Sequence, residues 1–169
     1  DEAEKYSAAA FATKHEDAIY FSKRVTRAVP DGGPIEAHTD LVKKLDYECE
    51  LAVVLGRDAR DVPAGQTRDY IFGYTILNDV SARDVQTAHK QWYFGKSLDG
   101  FTPIGPCIVT ADAFADYPPR LGIRSFVNGE KRQDSNTALQ IFDIDHVIAE
   151  LSQGMTLKAG TIIATGTPA

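Results

Sequence analysis

The longest apolar run in the chain, Leu45 to Gly56 (LDYECELAVVLG), sets valines and leucines side by side and closes on glycine. That pattern predicts one strand, buried along most of its length. Tyr70 to Asn78 (YIFGYTILN) is rich in aromatic and β-branched residues and predicts a second strand that ends at Asp79. Pro103 to Thr110 reads as another strand with proline at its entry, and Thr161 to Thr165 as a last one before a Gly166-Thr167-Pro168 turn. Between Leu121 and Ser135 the dipeptide Asn128-Gly129 separates two strand-like arms, the strongest local hairpin signal. Ala18 to Ser22 is short and apolar, and Pro30-Asp31-Gly32-Gly33-Pro34 after it is a turn. Helical spacing shows once clearly: Ile144, Val147, Ile148 and Leu151 fall at i, i+3, i+4 and i+7 within Asp143 to Gln153. Ser81-Ala82-Arg83-Asp84 has the form of a capping box and predicts a short helix through Val85 to Lys90. Strands outnumber helices, without the regular alternation of a doubly wound parallel fold.

Composition narrows the partners. The 169 residues, 43% hydrophobic and 25% charged, are enough for one sizeable core and short for two, which predicts a single domain. Eighteen basic residues against twenty-four acidic ones leave a formal charge of -6, so no diffuse basic surface is available to nucleic acid. The charged start Asp1 to Lys5 and the lack of an apolar run near the roughly 20 residues a bilayer requires predict a soluble, unexported, cytoplasmic protein with no membrane partner. Cys49 and Cys107 lie in apolar stretches outside any C-x-x-C pair, so both are expected as buried, reduced thiols.

Within the first strand, side chains alternate, so Glu48 and Glu50 share a face with Ala52 and Val54. Two carboxylates roughly 7 Å apart in a partly dry setting are costly unless a cation or strong donors offset them. A hard divalent ion with oxygen ligands would do so, and Asp79 could complete the set. The residues alone leave a second reading open: Glu48 and Glu50 on the solvated end of an edge strand, and Asp79 as an ordinary turn residue. His38, His89 and His146 fall in no metal-ligand spacing, and His146 reads as a surface or cap-like residue. Phosphate-binding glycine loops and a G-x-S-x-G nucleophile elbow are missing from the sequence.

Five strings in order, LDYECELAVVLG, GYTILNDVSARDVQ, GKSLDGFTPIGPCIVT, VNGEKRQ and SQGMTLKAGTIIATGTPA, resemble the fumarylacetoacetate hydrolase family. The resemblance runs from about Ile19 to Ala169, nearly nine-tenths of the chain. It implies an α+β, mostly β fold: a mixed β-sheet rolled into an irregular barrel with a few short helices. It further implies one catalytic domain over residues 1–169, with 1–18 the remnant of a lid or linker, truncation at both ends, and a homodimer. By the same resemblance Glu48, Glu50 and Asp79 are the metal ligands, for Mg²⁺ or else Mn²⁺ or Ca²⁺. Lys96 becomes the catalytic cation, Arg83 and Gln86 contact substrate, and Thr167 sits on a loop that holds a substrate oxygen. Without the resemblance Lys96 and Arg83 read equally well as exposed cations.

The implied substrate is a small anionic 2-oxo or enol acid, whose carboxylate and neighbouring oxygen chelate an oxygen-loving ion. Breaking a carbon–carbon bond beside its carbonyl yields an enolate that the ion and Lys96 stabilise. Hydrolysis of an acylpyruvate-like acid is the first expectation. Decarboxylation of an oxaloacetate-like acid, or isomerisation of a 2-hydroxyhepta-2,4-diene-1,7-dioate-like one, is the second; a non-catalytic metal-binding homologue is the third. One departure favours the second. Hydrolytic members carry N-Y-x-x-H-x-x-E, whose His and Glu activate water, whereas with Tyr6 as the motif tyrosine those positions hold Ala9 and Ala12. His15 and Glu16 are adjacent and so cannot share a helix face.

Overall fold

The structure is a computed structural model and describes residues 17–169; the expectations placed on Tyr6, Ala9, Ala12, His15 and Glu16 lie outside the described residues, as does most of the 1–18 segment. Strands dominate. In chain order the elements are β1 (Leu45–Asp46), β2 (Cys49–Leu55), β3 (Ile71–Asn78), β4 (Ser81–Ala82), α1 (Arg83–Ala88), α2 (Tyr93–Lys96), β5 (Ile104–Thr110), β6 (Gly122–Val127), β7 (Glu130–Asn136), α3 (Ile144–Leu151) and β8 (Ile162–Ala164). The main sheet runs β5-β3-β2-β8 with antiparallel neighbours, flanked by two-stranded ribbons β1-β4 and β6-β7. A parallel bridge joins Val29 to Pro103. The sheets are irregular, with register shifts in β2-β3, β3-β5 and β6-β7, and the described strands do not close into a barrel.

The long run expected as one strand is two. Leu45 and Asp46 pair with Ala82 and Ser81, whereas Cys49–Leu55 pairs with β3 and β8. At the break the Glu48 N–H donates to the side-chain Oδ1 of Asn78 (2.9 Å), and the Glu48 carbonyl accepts from the Asp79 N–H (2.9 Å). A side-chain amide thus stands in for a ladder partner, and the chain turns at Glu48 without orphaning its N–H. Nor is β2 an edge strand: it lies between β3 and β8, and every residue in it is buried.

Leu51, Val53 and Leu55 of β2 pack with Ile71 and Tyr74 of β3, Leu157, and Ile144 and Ile148 of α3 to form the larger core. Burying an isoleucine such as Ile144 or Ile148 is worth about 1.5–3 kcal/mol, which ties α3 to the sheet. Asp143 caps that helix by accepting from the His146 N–H (2.8 Å), while the His146 side chain stays near half exposed, as expected for a surface residue. The hairpin forms as expected, with Asn128 (φ 52°) and Gly129 (φ 82°) both left-handed, as a two-residue I′ turn requires.

A smaller core of Val42, Val80, Ala82, Val85 and Phe101 holds down the chain after Asp79. There the expected capping box fails. Ser81 is in β4, its hydroxyl donates to the Asp79 carbonyl (2.8 Å), and Ala82 is the residue that precedes α1. The Asp84 carboxylate instead accepts from the Lys43 and Lys44 N–H groups (3.0 and 3.3 Å). Cys49 is buried as expected; Cys107 is exposed, because β5 forms the outer edge of the sheet. No helix among the described residues is long and apolar enough to cross a membrane.

Candidate metal centre

Because the chain breaks at Glu48 and β2 begins immediately after it, Glu48 and Glu50 approach Asp79, which follows the last residue of β3. One oxygen from each of Glu48, Glu50 and Asp79 lies within 4.8 Å of the others, and all three residues are buried. Oxygens around a Mg²⁺-sized ion sit about 3 to 4 Å apart, so the three carboxylates would draw slightly closer to hold one, and an all-oxygen anionic set is what such an ion takes. The donor set fits a hard divalent cation.

Cations surround the carboxylates. Lys96 Nζ reaches Glu48 Oε2 and Asp79 Oδ2, both at 2.6 Å, and its side chain is only 3% exposed. Arg83 Nη2 pairs with Glu48 Oε1 (2.6 Å) and Asp46 Oδ2 (2.8 Å), and its Nη1 donates to Gln86 Oε1 (3.1 Å). Burial works against the Arg83 charge, yet Glu48 and Asp46 outweigh it and raise its pKa. Lys23 Nζ holds Asp79 Oδ1 at 2.5 Å; burial lowers its pKa, with Asp79 pulling the other way.

Glu50 differs from its neighbours. Among the described residues no side-chain cation bonds it; its Oε2 accepts from the Gly166 N–H (2.8 Å). Burial, then the charges of Asp79 and Glu48, push its pKa up to about 8 against the pull of that N–H and of Lys96. A buried carboxylate in that state gains from any cation placed beside it.

The helices supply the cations for local reasons. Arg83 and Gln86 stand at i and i+3 on α1 and so share a face. Lys96 ends α2, and Gly95 brings α2 against α1: a Cβ there would lie 2.7 Å from the Gln86 N. No residue larger than glycine fits without parting the two helices.

The structure therefore brings Glu48, Glu50, Asp79, Lys96, Arg83 and Gln86 together. Thr167 stands one bond removed: its hydroxyl donates to the Cys49 carbonyl (3.1 Å) and accepts from Gln133 Nε2 (2.8 Å). Sequence reasoning missed Lys23, Asp46, Asn78 and Gln133. Asp46, Asn78 and Gln133 had a signal, since each lies within one of the family strings; Lys23 had none. A surface cleft lined by residues such as Asp61, Pro63, His146 and Glu150 includes none of the carboxylate cluster.

Comparison with known proteins gives a consistent set of relatives. A model of the fumarylacetoacetate (FAA) hydrolase C-terminal domain matches residues 1–169. The oxaloacetate tautomerase YisK of Bacillus subtilis is 44% identical over 153 residues, 90% of this chain and 50% of that protein. Among solved structures, a fumarylacetoacetate hydrolase from the psychrophile Exiguobacterium antarcticum superposes with a TM-score of 0.77 at 51% identity, covering 80% of this chain and 48% of that one. A fumarylpyruvate hydrolase from Pseudomonas aeruginosa, solved in complex with Mn²⁺ and pyruvate, gives 0.75 at 30% identity over 84% of this chain and 62% of that one. The chain spans about half the length of the curated relatives it matches.

Proposed function

The chain belongs to the fumarylacetoacetate hydrolase family, and on that premise we propose that it is a divalent-metal-dependent enzyme cleaving a carbon–carbon bond in an acylpyruvate-like 2-oxo or enol acid. The observation that carries this reading is the set of three buried carboxylates within 4.8 Å of one another, two of them bridged by the Lys96 ammonium. Relatives named as hydrolases, one of them bound to Mn²⁺ and pyruvate, support it.

Glu48, Glu50 and Asp79 would hold the ion, Mg²⁺ or Mn²⁺ ahead of Ca²⁺, and when bound it would supply Lewis-acid stabilisation to an enolate oxygen. The chain's own groups do the rest. Lys96, dry and bound to two carboxylates, offers a fixed ammonium beside the charge that develops. Arg83 presents a guanidinium to the substrate carboxylate, with Gln86 orienting it through the 3.1 Å bond. The Gly166–Thr167 loop closes over Glu50 and holds a further substrate oxygen. We read the chain as a single catalytic domain acting in a cytoplasmic homodimer on a small anionic acid, with no part for nucleic acid or membrane.

Decarboxylation or tautomerisation is the second reading, favoured by Ala9 and Ala12 at the water-activating positions and by the tautomerase relative. All these reactions pass through an enolate, and only hydrolysis needs a water activated by a base. The test supplies an acylpyruvate, oxaloacetate and a 2-hydroxy-diene-dioate in parallel with Mg²⁺ and with Mn²⁺. Consumption of the acylpyruvate with release of two acids supports the first reading; turnover of the others alone supports the second. Metal binding without turnover of any would leave a non-catalytic homologue.

A further inference from the structure

We propose that Gln133, outside the carboxylate cluster, is a positioning residue that locks the Gly166–Thr167 loop onto Glu50. The inference rests on reading Glu50 as a metal ligand and that loop as part of the substrate site. The side chain is buried at 7% exposure and makes four hydrogen bonds to three separate parts of the chain. Its Oε1 accepts from the Cys49 N–H (3.1 Å) and the Ser125 hydroxyl (3.0 Å). Its Nε2 donates to Thr167 Oγ1 (2.8 Å) and the Pro168 carbonyl (2.6 Å).

The amide has one possible orientation. A backbone N–H can only donate, so the end facing Cys49 is oxygen; a backbone carbonyl can only accept, so the end facing Pro168 is nitrogen. The same logic settles the Thr167 hydroxyl. It accepts from Gln133 Nε2, and its single proton goes to the Cys49 carbonyl (3.1 Å). The Thr167 hydroxyl proton is therefore committed to Cys49, and any donation from this loop to a substrate oxygen comes from its backbone, where the Gly166 N–H is already on Glu50.

Cys49 stands between the two glutamates of E-x-E, so Gln133 and Thr167 together grip both the N–H and the carbonyl of the residue that joins the candidate ligands. One residue before Thr167, the Gly166 N–H donates to Glu50 Oε2 at 2.8 Å. The β6-β7 hairpin thus reaches the residue between the carboxylates at two points, the Gln133 amide and the Arg124 carbonyl, which accepts from Cys49 Sγ (3.3 Å). Of these only Gln133 also pins the loop, and the loop orients Glu50. Partners of this kind, which orient a ligand without touching the ion, commonly contribute tenfold or more to metal affinity.

The test is Gln133→Met, which keeps the volume and removes all four bonds, in the intact protein, with Thr167→Val removing the hydroxyl's bonds to Gln133 and to the Cys49 carbonyl while leaving the Pro168 bond in place. Amide exchange is followed without metal at Gly166 and, as control, at Leu55, whose N–H bonds the Thr161 carbonyl at 2.9 Å in the sheet. Exchange at Gly166 faster by about tenfold or more relative to Leu55, in both variants, supports the proposal. Equal acceleration at both amides, or none at Gly166, overturns it. Should Gln133→Met fail to fold, Thr167→Val decides by the same ratio. Mn²⁺ titration of the unmodified protein separately tests the premise: no binding there sinks the metal reading, while the exchange ratio still judges the positioning role. With binding intact, an affinity about tenfold weaker in Gln133→Met is expected, and an unchanged affinity overturns the link from the loop to Glu50.

Discussion

Two charged clusters in this chain have nearly the same composition and opposite surroundings. On the hairpin, Asp134 sits between Arg124 (2.8 Å) and Lys131, and the three side chains are 38%, 58% and 50% exposed. At the end of β3, Asp79 sits between Lys96 (2.6 Å) and Lys23 (2.5 Å) at 2%, 3% and 12%. Water can replace either partner of Asp134, and salt screens what remains. Nothing replaces the partners of Asp79, so the chain must satisfy that carboxylate from within or leave a buried charge unpaired. The hairpin trio therefore decorates a surface, while the buried group is held in one geometry that chemistry can use.

The sharpest break of this contrast is Lys96→Met. It leaves Glu48 and Asp79 each short of a 2.6 Å partner, and breaking a buried pair of this kind costs about 3–5 kcal/mol. Turnover should fall by about a hundred- to a thousandfold, the usual loss when one preorganised stabiliser of developing charge goes. Thermal denaturation and steady-state rates check both. Mn²⁺ should recover part of the stability and little of the rate, since the ion replaces the missing charge but not the ammonium beside the substrate.

Glu50 sharpens the comparison in the other direction. Its folded pKa of about 8 lies above that of an unfolded glutamate, so the metal-free folded state holds the proton more tightly. Its favourable contribution is complete below the unfolded value and disappears as pH climbs through about 8. Metal-free protein should thus lose melting temperature between pH 5 and pH 9, and Mn²⁺ should cancel most of that slope. Glu50→Gln should flatten the slope while weakening Mn²⁺ binding by about a hundredfold or more, as loss of an anionic ligand would. A slope that survives the substitution counts against this assignment. A smaller effect is expected at Arg83, whose side chain is 32% exposed: Arg83→Lys keeps the charge but loses the planar fork shared by Glu48 and Asp46. KM for a carboxylate substrate should rise by about tenfold with kcat nearly unchanged.

Much of this site was legible because the family strings carry Glu48, Glu50, Asp79, Arg83, Gln86 and Lys96 together. The packing face of α3 and the Asn128-Gly129 turn were legible from local physics, since spacing and left-handed backbone need no distant partner. What escaped depends on distance in sequence. Lys23 meets Asp79 across 56 residues, from a stretch with no periodicity to mark it. The strand break at Glu48 required Asn78 to offer its amide, and the apparent capping box dissolved because Ser81 found the Asp79 carbonyl instead. Cys107 looked buried because apolar neighbours suggest a core strand, but burial depends on what lies beside the strand, and β5 is the outer one.

The weakest perturbation completes the contrast. Asp134→Asn removes the charge at the centre of the hairpin trio, next in sequence to Gln133, whose amide we assign to positioning the loop. In a strand, neighbouring side chains point to opposite faces, so Asp134 looks outward where Gln133 looks in. Its low pKa comes mainly from the Lys131 and Arg124 hydrogen bonds on an exposed face, where solvent substitutes for both. Melting temperature, Mn²⁺ affinity and turnover should all stay within experimental error of the unmodified protein, at low and at high salt alike. A clear loss of Mn²⁺ affinity would mean that the hairpin reaches the carboxylates by a route other than the Gln133 amide, such as the Arg124 carbonyl that accepts from Cys49 Sγ (3.3 Å), and that exposure is a poor guide to which charged residues matter here.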